Sequence, residues 1–126
     1  MNRYWYGLIG IVLLASMIGG GVWYVCEVTN KMEGLVKEAE QQLTQKNDEE
    51  ALRLLKESDA LWKKKLNGLE MILDHSAVEQ VSISLAEASS FLQYKKRAHC
   101  AASCQTILQT LHALRDGQRA GFYNLF

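Results

Sequence analysis

The feature that most constrains this chain is a long uncharged segment near its amino terminus. No charged side chain occurs between Arg3 and Glu27. A helix from Trp5 to Trp23 would be about 27 Å long at about 1.5 Å per residue, which approaches the hydrocarbon thickness of a bilayer, about 30 Å. Tyrosine and tryptophan concentrate at membrane interfaces. The segment therefore predicts a transmembrane helix with these interface aromatics: Tyr4, Trp5, Tyr6, Trp23 and Tyr24.

A cleaved secretory signal is the alternative interpretation of the same segment. Residues 8–18 would be its apolar core, and the three glycines at 19–21 would supply small residues for a peptidase. Cleavage there would leave an apolar stub at residues 22–25. Because the apolar run continues through that stub to a second aromatic pair, an uncleaved anchor is the prediction, with cleavage as the alternative.

The charges that flank the segment bear on its orientation. Arg3 and the amino terminus lie on one side, and Lys31, Lys37 and Lys46 follow on the other. A strict count of basic residues does not favour either orientation. A short leader with one arginine is typical of a signal anchor. We therefore expect a single-pass protein with a cytoplasmic amino terminus and an extracytoplasmic soluble part.

The composition of the rest of the chain limits its fold and its partners. The whole chain has 14 Lys and Arg against 14 Asp and Glu and contains no proline. This balance argues against a nucleic-acid partner, which would require a basic face. Apolar residues recur with helical spacing, and little Val/Ile-rich alternation is present. The sequence predicts an all-α protein.

Two helices are predicted before residue 74. The first continues from the membrane segment, or restarts after Asn30, and ends near Gln45. Asn47 followed by Glu50 has the spacing of a capping box, which opens a second helix that ends near Asp74. The predicted inward residues of the first helix are Val28, Met32, Leu35, Val36, Ala39 and Leu43. Those of the second are Ala51, Leu55, Ser58, Trp62, Leu66, Leu69 and Ile72.

Two further helices complete the predicted bundle. Ser76 and Glu79 have the spacing of another capping box, so a third helix should begin at Ala77. A break at residues 95–97 precedes a fourth helix that Asp116 and Gly117 should end. Their predicted inward residues are Val78, Val81, Leu85, Ala88 and Leu92, then Cys100, Cys104, Ile107, Leu111 and Leu114.

The predicted organisation is a membrane anchor at residues 1–29, a helical bundle at 30–116 and an aromatic tail at 117–126. The bundle would consist of antiparallel helical hairpins, since residues 47–72 and 95–116 show no convincing identity that would indicate a repeat protein. Apolar residues near the carboxyl terminus suggest docking onto the bundle or a partner. The predicted docking residues are Trp62, Phe122, Tyr123, Leu125 and Phe126.

A set of short motifs spread over nearly the whole chain resembles a known family. The motifs are Glu50-Ala51-Leu52, Trp62, Asp74-His75, residues 81–85 (VSISL) and Asn124-Leu125-Phe126, after a short membrane segment. Together they resemble domain of unknown function 4363, a family of small bacterial membrane proteins, mostly from Firmicutes. The resemblance implies a bacterial cytoplasmic membrane as the location and implies no activity.

Three positions of this chain, Trp62, His75 and Asn124, match recurring residues of that family. The chain departs from the family pattern in two respects. The acidic residue expected soon after the histidine is displaced to Glu79, and Cys100 and Cys104 are not part of the pattern.

The cysteines and histidines are the main candidates for site chemistry. Cys100 and Cys104 are four residues apart and would share a helix face, with His99 beside them. A structural zinc site needs four converging ligands, so these three residues are weak candidates, and no metal or cofactor is predicted. His75 beside Asp74 could be a base held by a carboxylate, but a turn histidine is the favoured interpretation. Phosphate-loop, zinc-protease and nucleophile-elbow motifs are absent from the sequence.

The predicted function is therefore that of a membrane-anchored helical interaction or scaffold protein without catalytic activity. Its partners would be the lipid bilayer and another membrane or envelope protein, or a second copy of itself, and no small-molecule substrate is inferred. The alternative is an extracytoplasmic domain that senses metal or redox state through His75, His99, Cys100 or Cys104.

Overall fold

Four helices make up the protein. The structure is a computed structural model that describes the backbone of residues 2–125 and the side chains of residues 3–117. The helices are α1 (Asn2–Thr44), α2 (Asp48–Ile72), α3 (His75–Gln93) and α4 (Arg97–Leu125), and no strand occurs among the described residues. The all-α prediction and the helical bundle after a long apolar helix are confirmed.

The helices form an antiparallel bundle in which each helix packs against two neighbours. α1 contacts α2 and α4, and α3 contacts the same two helices. The core contains the predicted inward faces almost completely, because one apolar stripe per helix is enough to fill a four-helix bundle. Its largest fully buried side chains include Trp62, Met32, Leu54, Leu55, Leu69, Leu85, Ile107 and Leu111.

α1 passes from the apolar segment into the bundle without interruption. Its 43 residues correspond to a helix of about 64 Å, with no break at Asn30. By length and composition, this helix could cross a membrane. α1 packs against the end of α2 at Gly21, where a methyl group would lie 3.7 Å from Ile72 Cδ1. Residues 3–20 thus extend beyond the bundle.

The turn before α2 follows the predicted capping box only in part. The Asn47 side chain accepts a hydrogen bond from the backbone N–H of Glu50 at 3.4 Å. The carboxylate of Glu50 does not complete the box, because it pairs with Arg53. The Asn47 N–H donates instead to the Gln42 carbonyl at 2.8 Å, which closes the end of α1.

The predicted start of α3 at Ala77 is wrong. α2 ends at Ile72, and α3 begins at His75 with Asp74 in the N-cap position. Buried Leu73 has extended backbone angles and ends α2 abruptly. Asp74 is also extended and occupies the N-cap position, although its side chain makes no capping hydrogen bond. The Ser76 hydroxyl donates to the Asp74 carboxylate at 3.4 Å and does not cap.

The predicted end of α4 at Asp116 and Gly117 is also wrong, because the helix continues to Leu125. Gly117 does not have a positive φ angle, so it does not act as a left-handed C-cap. A glycine inside a helix costs only about 1 kcal/mol relative to alanine, and the preceding turns of α4 are held by packing.

The two hairpins, α1–α2 and α3–α4, turn in the same way. Lys46 and Lys95 both have φ of 60°. Their N–H groups donate to Leu43 and Leu92 carbonyls at 3.1 and 3.0 Å, and the following N–H groups reach five residues back, each at 2.8 Å. These bonds are those of a Schellman motif. The chain thus repeats one hairpin geometry without repeating its sequence.

Candidate functional site

A cluster of charged side chains joins α1 to α4 around Glu33. The side chain of Glu33 is only 11 % exposed, on the core side of α1. Arg115 Nη1 on α4 donates to Glu33 Oε2 at 2.7 Å and to Asn30 Oδ1 at 2.6 Å. Lys37 Nζ lies 2.9 Å from Glu33 Oε1. Two cations thus surround one nearly buried carboxylate.

The environment of Glu33 holds its carboxyl group in the ionised form. The hydrogen bond from Lys37, supported by the hydrogen bond and charge of Arg115, lowers the pKa of Glu33 to about 2 against the opposing effect of burial. A carboxylate with this pKa does not exchange protons near neutral pH. The geometry therefore suits a structural ion pair better than a general acid or base.

His112 extends the cluster towards the surface. Its Nε2 lies 3.3 Å from Glu33 Oε1, and Arg115 Nη2 lies 2.9 Å from its Nδ1. Arg115 Nε is buried and has no hydrogen-bond partner in the part of the chain that the structure describes. The Arg115 guanidinium is therefore held through its two terminal nitrogens, Nη1 and Nη2, and not through Nε.

An open groove of about 480 Å³ runs beside this cluster between α1 and α4. Leu108 supplies an apolar floor, and the other lining side chains carry charges or amides. They are Glu33, Lys37, Glu40, Gln105, Gln109 and His112. Gln105 Nε2 donates to both oxygens of Glu40 at 3.0 and 2.8 Å, so part of this polar lining is already paired. The groove therefore offers apolar surface beside polar groups that are in part already paired.

Sequence patterns did not single out the residues of this cluster. Glu33 lies four residues after Thr29 and three before Val36, both of which are fully buried. That spacing places Glu33 on the inward stripe, and this was the available signal. A charged residue is normally interpreted as exposed. Its partner Arg115, 82 residues away, cannot be identified from spacing within one helix.

A family model described as "Domain of unknown function (DUF4363)" matches residues 21–125. The chain belongs to the DUF4363 family. No curated protein and no solved structure matches the chain. The DUF4363 match begins at Gly21, where α1 packs beside Ile72 of α2. The matched region therefore coincides with the packed bundle, and the exposed residues 3–20 lie before it.

Within the DUF4363 region, Trp62 is a core residue. Its side chain is fully buried, and its Nε1 donates to the Val78 carbonyl at 3.3 Å. It therefore joins α2 to α3 and is not available at the surface for partner docking. The prediction that Trp62 docks a partner is not supported, and the core position explains why so large a side chain is present here.

The other two positions that resemble DUF4363 motifs, His75 and Asn124, differ in what can be said of them. His75 is exposed at the first residue of α3, with ring nitrogens 3.4 Å from Glu70 and 3.8 Å from Glu79. It contacts neither the groove nor the cysteines. The side chain of Asn124 lies outside the described residues. The same holds for the predicted docking side chains Phe122, Tyr123, Leu125 and Phe126.

The two cysteines of α4 are packed in the DUF4363 core. Cys100 and Cys104 are both fully buried and form no disulfide. The hydrogen bond with Cys100, together with burial, raises the pKa of the Cys104 thiol. His99 is exposed, and its ring packs against Phe91 with 5.3 Å between centroids. Among the described residues, no three potential ligands converge on one point.

The predicted interface aromatics divide into two groups. Tyr4, Trp5, Tyr6 and Trp23 are exposed on α1. Tyr24 packs against α2, where its hydroxyl donates to the Lys65 carbonyl at 3.3 Å. The Lys65 ammonium lies 5.9 Å from the centroid of the Tyr24 ring. Tyr24 therefore connects the apolar segment to the DUF4363 bundle.

Proposed function

We propose that this protein is a single-pass membrane protein whose bundle is a non-catalytic interaction module. The observation that carries the proposal is the continuity of α1, which forms both the apolar extension and one side of the bundle. One helix that serves both purposes holds the bundle at a fixed position relative to the bilayer. An independent soluble domain would not need this extension.

The surface of residues 3–20 supports a lipid environment. Tyr4, Trp5, Leu8, Ile11, Val12, Leu13, Leu14 and Met17 are each more than half exposed. A helix that is apolar on all sides and unpaired by other helices is poorly suited to water. Its backbone hydrogen bonds are internal, which a bilayer requires.

Two measurements test the anchor: extraction of the membrane fraction and the mass of the mature protein. We expect the full chain to stay in the membrane fraction after alkaline carbonate treatment and to retain its complete mass. A soluble product shortened at residues 19–21 would support the cleaved secretory signal and contradict the anchor.

The proposed location is the bacterial cytoplasmic membrane, with the amino terminus in the cytoplasm and the bundle outside. A cysteine at the exposed position of Lys64, in a Cys26→Ser background, should react with a membrane-impermeant thiol reagent in intact cells. Reaction only after permeabilisation would place the bundle in the cytoplasm.

The proposed partner of the bundle is another membrane or envelope protein that contacts the groove between α1 and α4. The ion pairs that line the groove are better suited to positioning polar contacts than to catalysis. A photo-crosslinking residue at Gln109, which lines the groove, should therefore yield a discrete crosslinked band in cells. The matched control is Ile83, an exposed position on α3. Equal crosslinking at the two positions would contradict a groove-specific partner.

A further inference from the structure

The turn between α2 and α3 exposes apolar side chains at one end of the bundle. Met71 is 87 % exposed and Ile72 is 38 % exposed. They lie at the end of the bundle from which residues 3–20 of α1 extend. Apart from Trp23, the other large apolar side chains exposed within residues 21–117 are Ile83, which lies elsewhere on α3, and Tyr94, which lies at the opposite turn.

The contact between α1 and α2 sets the height of this turn relative to the apolar segment. Ile72 packs at Gly21, as the 3.7 Å approach to a methyl group there indicates. Gly21 precedes Trp23 by two residues, so it lies about 3 Å further towards the middle of the uncharged segment. If exposed Trp23 lies at the membrane interface, Ile72 therefore lies at a similar depth and also contacts the bilayer.

We propose that Met71 and Ile72 form a second membrane contact, in the same leaflet interface as Trp23. This inference rests on the proposed membrane anchoring of α1. The bilayer is favoured as the occupant because the exposed turn is continuous with the apolar surface of the extension. Moving exposed apolar side chains out of water is favourable, roughly in proportion to the apolar area removed from it.

Polar and charged neighbours limit the depth of the contact. Glu70, Asp74 and His75 are exposed beside the turn. Charged side chains are costly in the hydrocarbon centre of a bilayer. The turn therefore rests among the headgroups with Met71 and Ile72 directed inwards, and it does not span the membrane.

The depth of single nitroxide labels in the full chain, reconstituted in phosphatidylcholine nanodiscs, tests this contact. The parent is Cys26→Ser, since Cys100 and Cys104 are fully buried and should not react while the protein is folded. Labels are placed by Met71→Cys, Leu13→Cys and Tyr94→Cys. Leu13 reports on the anchor, and Tyr94 is the exposed control at the far turn. Each variant must keep the helical circular dichroism of the parent.

Collision with oxygen, which concentrates in lipid, is compared with collision with a water-soluble nickel chelate. We expect the oxygen-to-nickel ratio to be highest at Leu13, intermediate at Met71 and lowest at Tyr94. A ratio at Met71 equal to that at Tyr94, with Leu13 in lipid, would overturn the second contact and leave the anchor intact. Shielding of Met71 from both reagents would show that a protein covers the turn. A water-exposed Leu13 would overturn the anchor itself.

Discussion

At the scale of single residues, Glu33 and Arg115 explain how α1 and α4 are held in register. Both side chains are nearly buried, and each supplies the charge that the other needs. A buried ion pair adds little net stability compared with apolar residues of similar size. Breaking it is costly, because one charge remains without its partner. The pair therefore fixes which parts of the two helices meet.

Glu33→Gln should lower the free energy of unfolding by about 3 kcal/mol, since Arg115 would lose its charged partner in a poorly solvated position. Thermal and chemical unfolding in detergent, followed by circular dichroism, measures this loss. The control is Glu38→Gln, at an exposed position of the same helix, where we expect a change within about 0.5 kcal/mol. Equal effects of the two substitutions would contradict the role of the pair.

The lowered pKa of Glu33 predicts acid sensitivity. The folded value is about 2, against an ordinary value of 4.5. Its stabilising contribution is therefore complete above pH 4.5 and is lost as the pH falls through about 2. The difference between the folded and unfolded pKa values limits this contribution to the free energy of unfolding to about 3 kcal/mol. The actual contribution is smaller, because Lys37 is largely exposed and solvent screens its charge. Unfolding between pH 4.5 and 2 should be less pH-dependent in Glu33→Gln than in Glu38→Gln.

The two hairpin turns contain lysines where glycine is the favoured residue. Lys46 and Lys95 have left-handed backbone angles, which cost a side-chain-bearing residue about 1–2 kcal/mol. We expect Lys46→Gly and Lys95→Gly each to raise the free energy of unfolding by about 0.5–1 kcal/mol. Lys56→Gly, inside α2, should lower it by about 1 kcal/mol. Destabilisation by all three would show that the lysine side chains contribute at the turns.

At the scale of helices, Gly68 allows the close contact between α1 and α2. A methyl group at Gly68 would lie 2.8 Å from Tyr24 Oη, and the ring carbons would also be too close. At Gly34, a methyl group meets nothing within 4 Å. Gly68 and Gly34 therefore have different roles: Gly68 is required by packing and Gly34 is not.

Gly34→Ala should stabilise the protein by up to about 1 kcal/mol through helix propensity. Gly68→Ala should not, because it displaces Tyr24 and breaks its hydrogen bond to the Lys65 carbonyl. In a Tyr24→Ala background the clash is absent, so Gly68→Ala should become stabilising. Chemical unfolding of the four variants measures these effects. Stabilisation by Gly68→Ala in the presence of Tyr24 would contradict the predicted clash.

The helices were largely predictable because helical periodicity identifies inward faces without knowledge of the fold. All predicted inward residues of α3 are buried. Helix ends were less predictable, since they depend on competition between local signals. At α3, extended Leu73 and Asp74 override the Ser76–Glu79 spacing. At α4, Gly117 does not adopt the positive φ angle of a left-handed C-cap, and the helix continues through it to Leu125.

The charged cluster was the least predictable feature, because it depends on contacts between α1 and α4 that are distant in sequence. Helical spacing predicted Trp62 on the inward face of α2, and the same aromatic side chain was also a candidate for partner docking. Whether such a residue docks a partner or fills a core depends on tertiary packing. The indole Nε1–H is the one hydrogen-bond donor of a tryptophan side chain, and in Trp62 it donates to the Val78 carbonyl on α3.

At the scale of the whole molecule, the proposed anchoring of α1 and the length of α2 together predict how far the bundle extends from the bilayer. α2 has 25 residues, which correspond to about 37 Å. In proteoliposomes, a fluorophore at Lys95 should therefore transfer much less energy to acceptor lipids than one at Lys64. The two labels are compared in the Cys26→Ser parent. Equal transfer would indicate that the bundle lies flat on the membrane.

If α1 crosses the bilayer as proposed, its unbroken length couples the tilt of the membrane segment to the position of the bundle. Membrane helices are tilted by about 20° on average, and Thr44 lies about 45 Å along the helix from the middle of the uncharged segment. A tilt of that size would carry the far turns sideways by about 15 Å. α1 contains no proline and no break. A change in membrane thickness that tilts this helix would therefore also move the bundle and the partner proposed to bind it.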